Sequence, residues 1–358
     1  MYSAVTVKNF RCFERFSIEP LARVNLIAGK NSVGKTALLE AIYLLIGAQN
    51  IELAFRIGVF RGFELPKVTP TILHDLFWSP LFLNLNLQTV AEVAGRLTHG
   101  GSQQVRLSLV PRTSARVPAG EKPIPETIDL DTQGQLNKAL KLSYVDPKGD
   151  VHDVQMMMDG AGIRVEPAPS EPPFPGAFMT AHHKATTLED VERFGRLELG
   201  KTSYDLLKVL QLVEPRLRRV VTISTSGIPA LYGDVGIDRL LPLPLMGDGL
   251  GRLASILLAI ASCSHGVLLV DEVETGFHHS VMGKVWEAIG EAAHMFDAQV
   301  FTTTHSFECI REAHNALTRN GSGAFRLHRL ERTGRGIEAI TYDEESLSAA
   351  IKNDLEIR

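Results

Sequence analysis

An eight-residue segment near the start of the chain, Gly29-Lys30-Asn31-Ser32-Val33-Gly34-Lys35-Thr36, constrains the fold more than any other. It fits the pattern G-x-x-x-x-G-K-[ST] at every fixed position. An apolar run, Val24–Ala28, precedes it and is typical of a buried strand, and a run of good helix formers at 37–46 follows it up to Gly47. Glycines let the backbone N–H groups turn toward an anion, and the helix N-terminus adds its positive dipole end. The sequence therefore predicts a phosphate cradle.

We call residues 29–36 the phosphate loop. In such a loop Lys35 would reach the β- and γ-phosphates of ATP, and the Thr36 hydroxyl would hold Mg²⁺. The alternative is a glycine-rich turn between a strand and a helix that carries a surface lysine. The complete motif and its context favour nucleotide binding, and the predicted binding residues of the loop are Asn31, Ser32, Val33, Gly34, Lys35 and Thr36.

A second apolar strand, Val267–Val270, ends in the carboxylates of Asp271 and Glu272, which we call the acidic pair. In a phosphate-loop ATPase this place belongs to an acid that binds Mg²⁺, here Asp271, and to a base for the attacking water, here Glu272. Two carboxylates after a strand are common by themselves. Together with a phosphate loop they are informative, because both motifs would lie at the carboxyl edge of one parallel sheet. Glu274 is either a secondary acid or a loop residue.

A histidine is predicted at the same edge of the sheet. A helix at about 279–296 and a buried strand, Gln299–Thr303, follow the acidic pair, and such a strand–helix–strand unit forms a parallel crossover. The crossover would bring His305 beside the acidic pair, where its ring could bond the γ-phosphate or hold the water. The alternative is a histidine that caps the next helix.

A glycine-rich turn, Met246-Gly247-Asp248-Gly249-Leu250, precedes an apolar helix at 253–263. We call it the signature turn. A glycine turn that opens a helix is again an anion site, and a chain with its own phosphate loop does not need a second one. We therefore expect Gly247, Asp248 and Gly249 to close on a nucleotide held by another subunit. The Asp248 carboxylate would repel a triphosphate, so it is expected to turn aside and cap the helix or contact the partner's loop.

The remaining pattern predicts a small antiparallel sheet before the phosphate loop and a short helix around 72–78. Alternating leucines at 81–87 and apolar residues up to 110 predict further strands, with a turn at Gly100-Gly101. Proline-rich stretches at 111–125 and 164–175 predict surface loops around paired strands at 140–157. Two helices are predicted from 187 onward and strands at 324–330 and 337–342. The acidic run Asp343-Glu344-Glu345 is interpreted as solvated surface.

Composition narrows the class of protein. A net charge of −4 over 358 residues argues against a generally basic nucleic-acid binder, although a local patch such as Arg216, Arg218 and Arg219 stays open beside its interpretation as solvated surface. Three widely spaced cysteines suit a reducing compartment. The sequence has neither a signal-like N-terminus nor an apolar run of membrane-spanning length, so we expect a cytoplasmic protein without a membrane partner.

The order of these motifs resembles the plan of ABC-type ATPase heads. Within that group the sequence is similar to the compact ATPases grouped with the OLD family and to the RecF and SMC heads. The residues that carry the resemblance are Val7-Lys8-Asn9-Phe10-Arg11, the phosphate loop, the signature turn, Leu269-Val270-Asp271-Glu272-Val273-Glu274-Thr275-Gly276-Phe277-His278 and Thr303-Thr304-His305-Ser306. The resemblance implies an α/β fold, a P-loop NTPase head with a parallel core sheet, an antiparallel β lobe and a helical lobe. We expect one domain over 1–358, with a nucleotide-binding lobe at 1–180, a helical lobe at 181–265 and the acidic pair, His305 and final strands at 266–358.

The resemblance also implies a function. It predicts an ATP hydrolase that uses ATP and Mg²⁺, dimerises around two nucleotides as a switch, and acts in phage defence or DNA transactions with a separately encoded effector. Three departures matter: the signature turn lacks the usual serine, long coiled-coil arms are missing, and the residues after His305 are too few for a Toprim nuclease domain. Alternatives are a RecF-like DNA-repair ATPase, for which DNA would be a partner, and a nucleotide-held scaffold with incidental turnover. A transporter subunit is the least favoured.

Overall fold

The computed structural model describes most of the chain, and three sheets with flanking helices make up its fold. The described residues are 1–63, 69–111, 138–159, 162–168, 170–181, 188–225, 227–318, 323–353 and 355–357, without the side chains of Asp159 and Asp248. The proline-rich loop expected at 111–125 lies outside them except for Pro111. The division of the domain at 180 and 265 stays a prediction.

The central sheet has six strands in the order β16-β15-β3-β14-β13-β9. All pair in parallel except β16, which is antiparallel to β15. Strands β3, β13 and β14 are buried along their whole length, as parallel strands covered on both faces are. The bounds are β3 (Val24–Ala28), β9 (Gly176–Met179), β13 (Val267–Val270), β14 (Gln299–Thr303), β15 (Phe325–Thr333) and β16 (Gly336–Tyr342).

A seven-stranded antiparallel sheet forms the β lobe, in the order β2-β1-β4-β5-β6-β7-β8. Its strands are β1 (Tyr2–Phe10), β2 (Phe13–Ile18), β4 (Ala91–Leu97), β5 (Ser102–Pro111), β6 (Lys138–Val145), β7 (Val151–Asp159) and β8 (Gly162–Glu166). A smaller sheet of three strands lies in the second half of the chain: β10 (Arg219–Thr225), β11 (Ile228–Asp234) and β12 (Leu241–Pro242).

The helices lie between the strands and on both faces of the central sheet. Helix α1 (Lys35–Ile46) starts in the phosphate loop and ends at Gly47, where the sequence predicted its end. The others are α2 (Glu52–Phe60), α3 (Pro70–Ile72), which continues into a π-helical turn at Leu73–Trp78, α4 (Leu188–Leu199), α5 (Ser203–Leu210), α6 (Asp248–Ser262), α7 (Met282–Met295), α8 (Phe307–Leu317) and α9 (Glu344–Lys352). Among the described residues no helix is both long and apolar enough to cross a membrane.

Side chains of the central strands alternate between two hydrophobic cores, as the two-residue period of a strand requires. Ile27 and Leu269 belong to the core shared with α1 and the antiparallel sheet. Leu26 and Leu268 belong to the core shared with α6 and α7, which also holds the fully buried Trp286. The segments that follow β3, β13 and β14 lie together at the carboxyl edge of these parallel strands, and that edge positions the site.

The strand predicted from the alternating leucines at 81–87 is wrong. The segment forms two short 3₁₀ turns instead, Ser79–Leu81 and Leu83–Leu85. Pro80 lies in the first turn and has no N–H for a strand ladder. Asn84 and Leu85 adopt left-handed backbone angles with φ of 53° and 58°, which no strand accommodates. The strands predicted further along are present as β4 and β5, joined at Gly100 and Gly101.

The interpretation of Asp343-Glu344-Glu345 as solvated surface alone is incomplete, because this run begins α9. The Asp343 side chain accepts a hydrogen bond from the Ser346 N–H, and the Ser346 hydroxyl accepts one from the Asp343 N–H. Glu344 and Glu345 then occupy the first turn, where negative charge favours the helix dipole. An N-cap signal with serine in place of the usual glutamate was present in the sequence.

Candidate nucleotide site

The phosphate loop joins β3 to α1 and depends on its glycines. Gly29 and Gly34 have φ of 146° and 108°, in the region that favours glycine. A Cβ on Gly34 would lie 2.9 Å from the Cys12 sulfur and 3.0 Å from the Phe13 ring, so a larger residue would displace the turn after β1. Among the described side chains none caps the start of α1. Its first N–H groups are therefore available to an anion.

Lys35 and Thr36 lie at the start of α1. The Lys35 Nζ donates to the carbonyl oxygens of Gly29 at 2.6 Å and Lys30 at 3.0 Å, so the ammonium lies directly over the loop. Burial lowers the pKa of Lys35, and the nearby carboxylates Asp271, Glu274 and Glu272 oppose that shift. A phosphate here would compensate part of the desolvation.

Thr36 and Asp271 offer the oxygen ligands that Mg²⁺ prefers. The Thr36 hydroxyl donates to Asp271 Oδ2 at 2.9 Å, across 235 residues of sequence. Among the described residues no cluster of three or more His, Cys, Asp or Glu side chains could hold a metal by itself. Mg²⁺ is usually bound by one or two protein carboxylates together with substrate phosphates and water. The residues present therefore fit the ion.

The acidic pair follows β13 in a tight turn. Asp271 is buried, with Oδ1 2.5 Å from the Thr303 hydroxyl. Glu272 has a left-handed backbone with φ of 48°, uncommon for a residue with a Cβ. Its side chain lines the cavity described below, and Thr275 Oγ1 donates to its Oε2 at 3.4 Å. Among the described residues this long hydrogen bond is the one that holds the carboxylate, which leaves it available to a water molecule.

Glu274 lies in the turn that follows β13, residues 271–275, which we call the acidic turn. Its side chain links this turn to the segment after β14. Its Oε1 accepts hydrogen bonds from the Thr304 hydroxyl at 2.8 Å and the His305 N–H at 3.0 Å. The His305 ring Nδ1 lies 3.4 Å from the same oxygen, and the ring is half exposed. Ser306, and not His305, caps α8, because its side chain accepts from the Cys309 N–H. The His305 ring is therefore available to the cavity.

These residues meet in one cavity of about 1020 Å³, at the upper limit of the ~300–1,000 Å³ usual for small-molecule pockets. Of the predicted site residues, the structure brings these to its lining: Asn31, Ser32, Gly34, Lys35, Thr36, Asp271, Glu272 and His305. Val33 is buried in the core, so a phosphate would meet its main chain rather than its side chain. Lining residues to which the sequence patterns assigned no role in the site include Arg11, Cys12, Arg61, Phe82, Arg332 and Ile337.

A buried carboxylate holds two of these arginines. Glu40, on α1, is 1% exposed, and its oxygens lie 2.7 Å from Arg61 Nε and 3.0 Å from Arg11 Nε. Both arginines line the cavity, so the cluster of Glu40, Arg11 and Arg61 would place two further cations near a bound nucleotide. Glu40 is the one charged residue in the apolar run 37–46, and this isolated charge is the sequence feature that could have indicated a buried ion pair.

The signature turn lies beside the acidic turn but outside this cavity. Gly247 has φ of 120°, α6 begins at Asp248, and a Cβ on Gly249 would lie 3.3 Å from the Phe277 ring. Within the described lining of the cavity, no residue of the signature turn occurs. The predicted cap by the Asp248 side chain falls outside the described atoms.

Arg252, one turn into α6, connects the signature helix to the acidic turn. It is 6% exposed, and its guanidinium donates to the carbonyl oxygens of Glu272 at 3.3 Å and Ala181 at 3.5 Å. Burial lowers its pKa, and Glu274 and Glu272 oppose the shift. A movement of α6 would thus reach the backbone of Glu272 directly. The sequence patterns did not assign Arg252 a role.

Comparison with known proteins agrees with this geometry. Residues 1–82 match the family described as "AAA ATPase domain", and residues 167–310 match "AAA domain, putative AbiEii toxin, Type IV TA system". An ATP/GTP phosphatase of Helicobacter pylori is 22% identical over 339 residues, covering 87% of this chain and 86% of that protein. The DNA replication and repair protein RecF of Idiomarina loihiensis is 42% identical over 57 residues, only 16% of this chain and 15% of that protein.

Among solved structures, an SMC head bound to the C-terminal winged-helix domain of ScpA superposes with a TM-score of 0.52. The identity is 13%, and the match covers 98% of this chain and 99% of that one. The fold therefore has the architecture of an SMC head, with the phosphate loop and the acidic pair at one edge of its central sheet. The chain is thus similar to AAA-type ATPase domains over two separate stretches, and to RecF over a shorter one.

Proposed function

We propose that the protein binds ATP at the phosphate loop and hydrolyses it to ADP and phosphate. The observation that carries the proposal is the meeting of Lys35 and Thr36 with Asp271, Glu272 and His305 in one cavity. Lys35 and the N–H groups at the start of α1 would hold the phosphates, and Thr36 and Asp271 would hold Mg²⁺, which would supply charge to neutralise the phosphates. Glu272 takes the proton of the attacking water, and His305 hydrogen-bonds the γ-phosphate.

Release of phosphate by the purified chain with ATP and Mg²⁺ tests this function. Turnover that requires both is the expected result. Tight binding of ATP without any phosphate release would instead support a nucleotide-held scaffold, and no binding would contradict both. GTP is a useful second substrate, because the Helicobacter pylori relative is named an ATP/GTP phosphatase.

The working form of the site is a dimer closed around two nucleotides, with each signature turn facing the partner's γ-phosphate. Two observations support this part of the proposal. The start of α6 presents its N–H groups outside its own cavity, and Leu245 beside it is 74% exposed. Arg252 donates to the Glu272 carbonyl oxygen, so a movement of α6 on dimer closure would act directly on the backbone of Glu272.

Gly249→Arg is expected to block turnover while each subunit still binds ATP, because the bulky cation would occupy the space of the partner's nucleotide. Mixed with Lys35→Ala, it should recover up to one working site per heterodimer, since each variant supplies the half that the other lacks. The measurement is ATPase activity of the mixture at matched total protein.

Gly195→Arg is the matched control for that experiment. Gly195 lies on α4 with open space around its Cβ position, so the same substitution there should leave turnover unchanged. If heterodimers are shown to form and the mixture stays as inactive as either variant alone, the sites are not shared between subunits.

In the cell we propose a nucleotide-dependent switch that controls a separately encoded effector, as in phage defence. The matched family's description names a toxin system, which supports this class of role. The basic cluster Arg216, Arg218 and Arg219, after α5, gives weaker support, because less of its positive charge is left to bind DNA. Arg216 forms an ion pair with Glu214 at 2.9 Å, and Arg219 lies 3.8 Å from Asp234, so neighbouring carboxylates offset much of its charge. Turnover stimulated by DNA would favour the RecF-like repair role instead, whereas turnover altered only by a neighbouring gene product would favour the effector.

A further inference from the structure

We propose that Thr303 is a positioning residue for both members of the acidic pair. The inference rests on the proposed hydrolysis of ATP and deepens it, by assigning the group that orients the Mg²⁺-binding carboxylate and the general base together. Thr303 is the last residue of β14 and is fully buried. It does not line the nucleotide cavity, so it acts through Asp271 and Glu272 rather than on the substrate.

The Thr303 hydroxyl makes one hydrogen bond to each acidic residue. It lies 2.5 Å from Asp271 Oδ1 and 2.8 Å from the Glu272 nitrogen. The backbone N–H of Glu272 can only donate, so it donates to the hydroxyl oxygen, and the single hydroxyl proton is left for the Asp271 carboxylate. This arrangement fixes Asp271 Oδ1 and leaves its Oδ2 to face Thr36, where Mg²⁺ would bind.

The same residue also holds the backbone from which Glu272 projects. Glu272 has φ of 48°, and a non-glycine residue keeps such a conformation only where its surroundings impose it. The Thr303 hydroxyl binds the Glu272 N–H, and the Thr303 carbonyl accepts from the Val273 N–H at 3.1 Å. Thr303 therefore contacts the acidic turn on both sides of the Glu272 α-carbon. Loss of the hydroxyl would free the turn and move the proposed base.

The neighbouring Thr302 provides a matched control. It is also fully buried in β14, one residue earlier, so its side chain points to the opposite face of the sheet. Its hydroxyl has no hydrogen-bond partner among the described residues. Thr302→Val and Thr303→Val therefore remove the same group from the same strand, and only the second removes contacts with the acidic pair.

The experiment compares Thr303→Val, Thr303→Ala, Thr303→Ser and Thr302→Val with the unaltered protein. We expect both variants without the hydroxyl to lower kcat at least ~10-fold, within the range that a misplaced catalytic group costs, with little change in KM. ATP affinity by calorimetry without Mg²⁺ should stay near that of the unaltered protein. The Mg²⁺ concentration that half-saturates the ATP complex should rise ~10-fold or more, as for the loss of other groups that orient metal ligands. Thr303→Ser should restore most of both properties.

Three results would overturn the proposal. Thr303→Val and Thr303→Ala could keep the kcat and Mg²⁺ dependence of the unaltered protein, Thr303→Ser could be as impaired as they are, or Thr302→Val could match them. If Thr303→Val fails to fold, Thr303→Ala and Thr303→Ser decide the same question. If the unaltered protein binds ATP without hydrolysing it, the proposed function fails, while the Mg²⁺ dependence of ATP binding still tests the role of Thr303.

Discussion

Glu272→Gln should bind ATP as tightly as the unaltered protein and hydrolyse it at least ~100-fold more slowly, the usual scale for the loss of a general base. Glutamine keeps the shape of the side chain and its hydrogen bond from Thr275, but it cannot take a proton from water. Phosphate release in a single turnover measures the chemical step directly. Because ATP would persist at the site, the variant should also accumulate as an ATP-bound dimer, which light scattering after size-exclusion chromatography would detect.

Two other carboxylates serve as comparisons for Glu272. Glu14 lines the same cavity but is exposed on β2, so Glu14→Gln should change the rate little. Glu274→Gln should slow hydrolysis less than Glu272→Gln, because Glu274 holds Thr304 and His305 instead of facing the cavity. A Glu272→Gln rate equal to that of the unaltered protein would show that Glu272 is not the base, and Glu274 would become the candidate.

Lys35→Ala should abolish measurable ATP binding. The Lys35 ammonium lies over the loop, 2.6 Å from the Gly29 carbonyl, and it is the fixed cation of the phosphate-loop motif. The two arginines of the cavity contact Glu40, so part of their charge is already compensated. Removing one partner of a buried charge pair costs ~2–5 kcal/mol or more, which is about 30-fold to several thousand-fold in affinity.

Calorimetry with ATP measures this effect, and Lys30→Ala is its matched control. Lys30 lies in the same loop, but its side chain is exposed and occupies a variable position of the motif. We expect Lys30→Ala to bind ATP within a few-fold of the unaltered protein. An affinity of Lys35→Ala equal to that of the unaltered protein would contradict the assignment of the phosphate site.

One error of the sequence interpretation, and one choice that it left open, have identifiable physical causes. The leucines at 81–87 alternate like a strand, but periodicity does not report the left-handed backbone of Asn84 and Leu85 or the proline before them. His305 could equally have capped the next helix, and the choice of Ser306 as the cap depends on where α8 begins. Such boundaries are set by local hydrogen bonds that residue types only suggest.

Sequence motifs did not indicate the contacts between buried polar side chains. Glu40 pairs with Arg11 and Arg61, which lie 29 residues before it and 21 residues after it in the chain. No short pattern links such positions, because the contact exists only once α1 packs between the turn after β1 and the end of α2. Arg252 reaches Glu272 in the same way, through the packing of α6 beside β13.

The sequence by itself determined the nucleotide-binding class of the protein and the order of its motifs. Each motif is a short run attached to an apolar strand, and parallel strands bring their carboxyl ends to one edge whatever lies between them. The tertiary structure decided which buried side chains support those motifs. Thr302 and Thr303 have the same side chain, and the alternation along β14 points only that of Thr303 toward Asp271. The register of the sheet sets this arrangement, because it pairs Val270 with Thr302. A shift of one residue would exchange their places, because successive side chains of a strand lie on opposite faces.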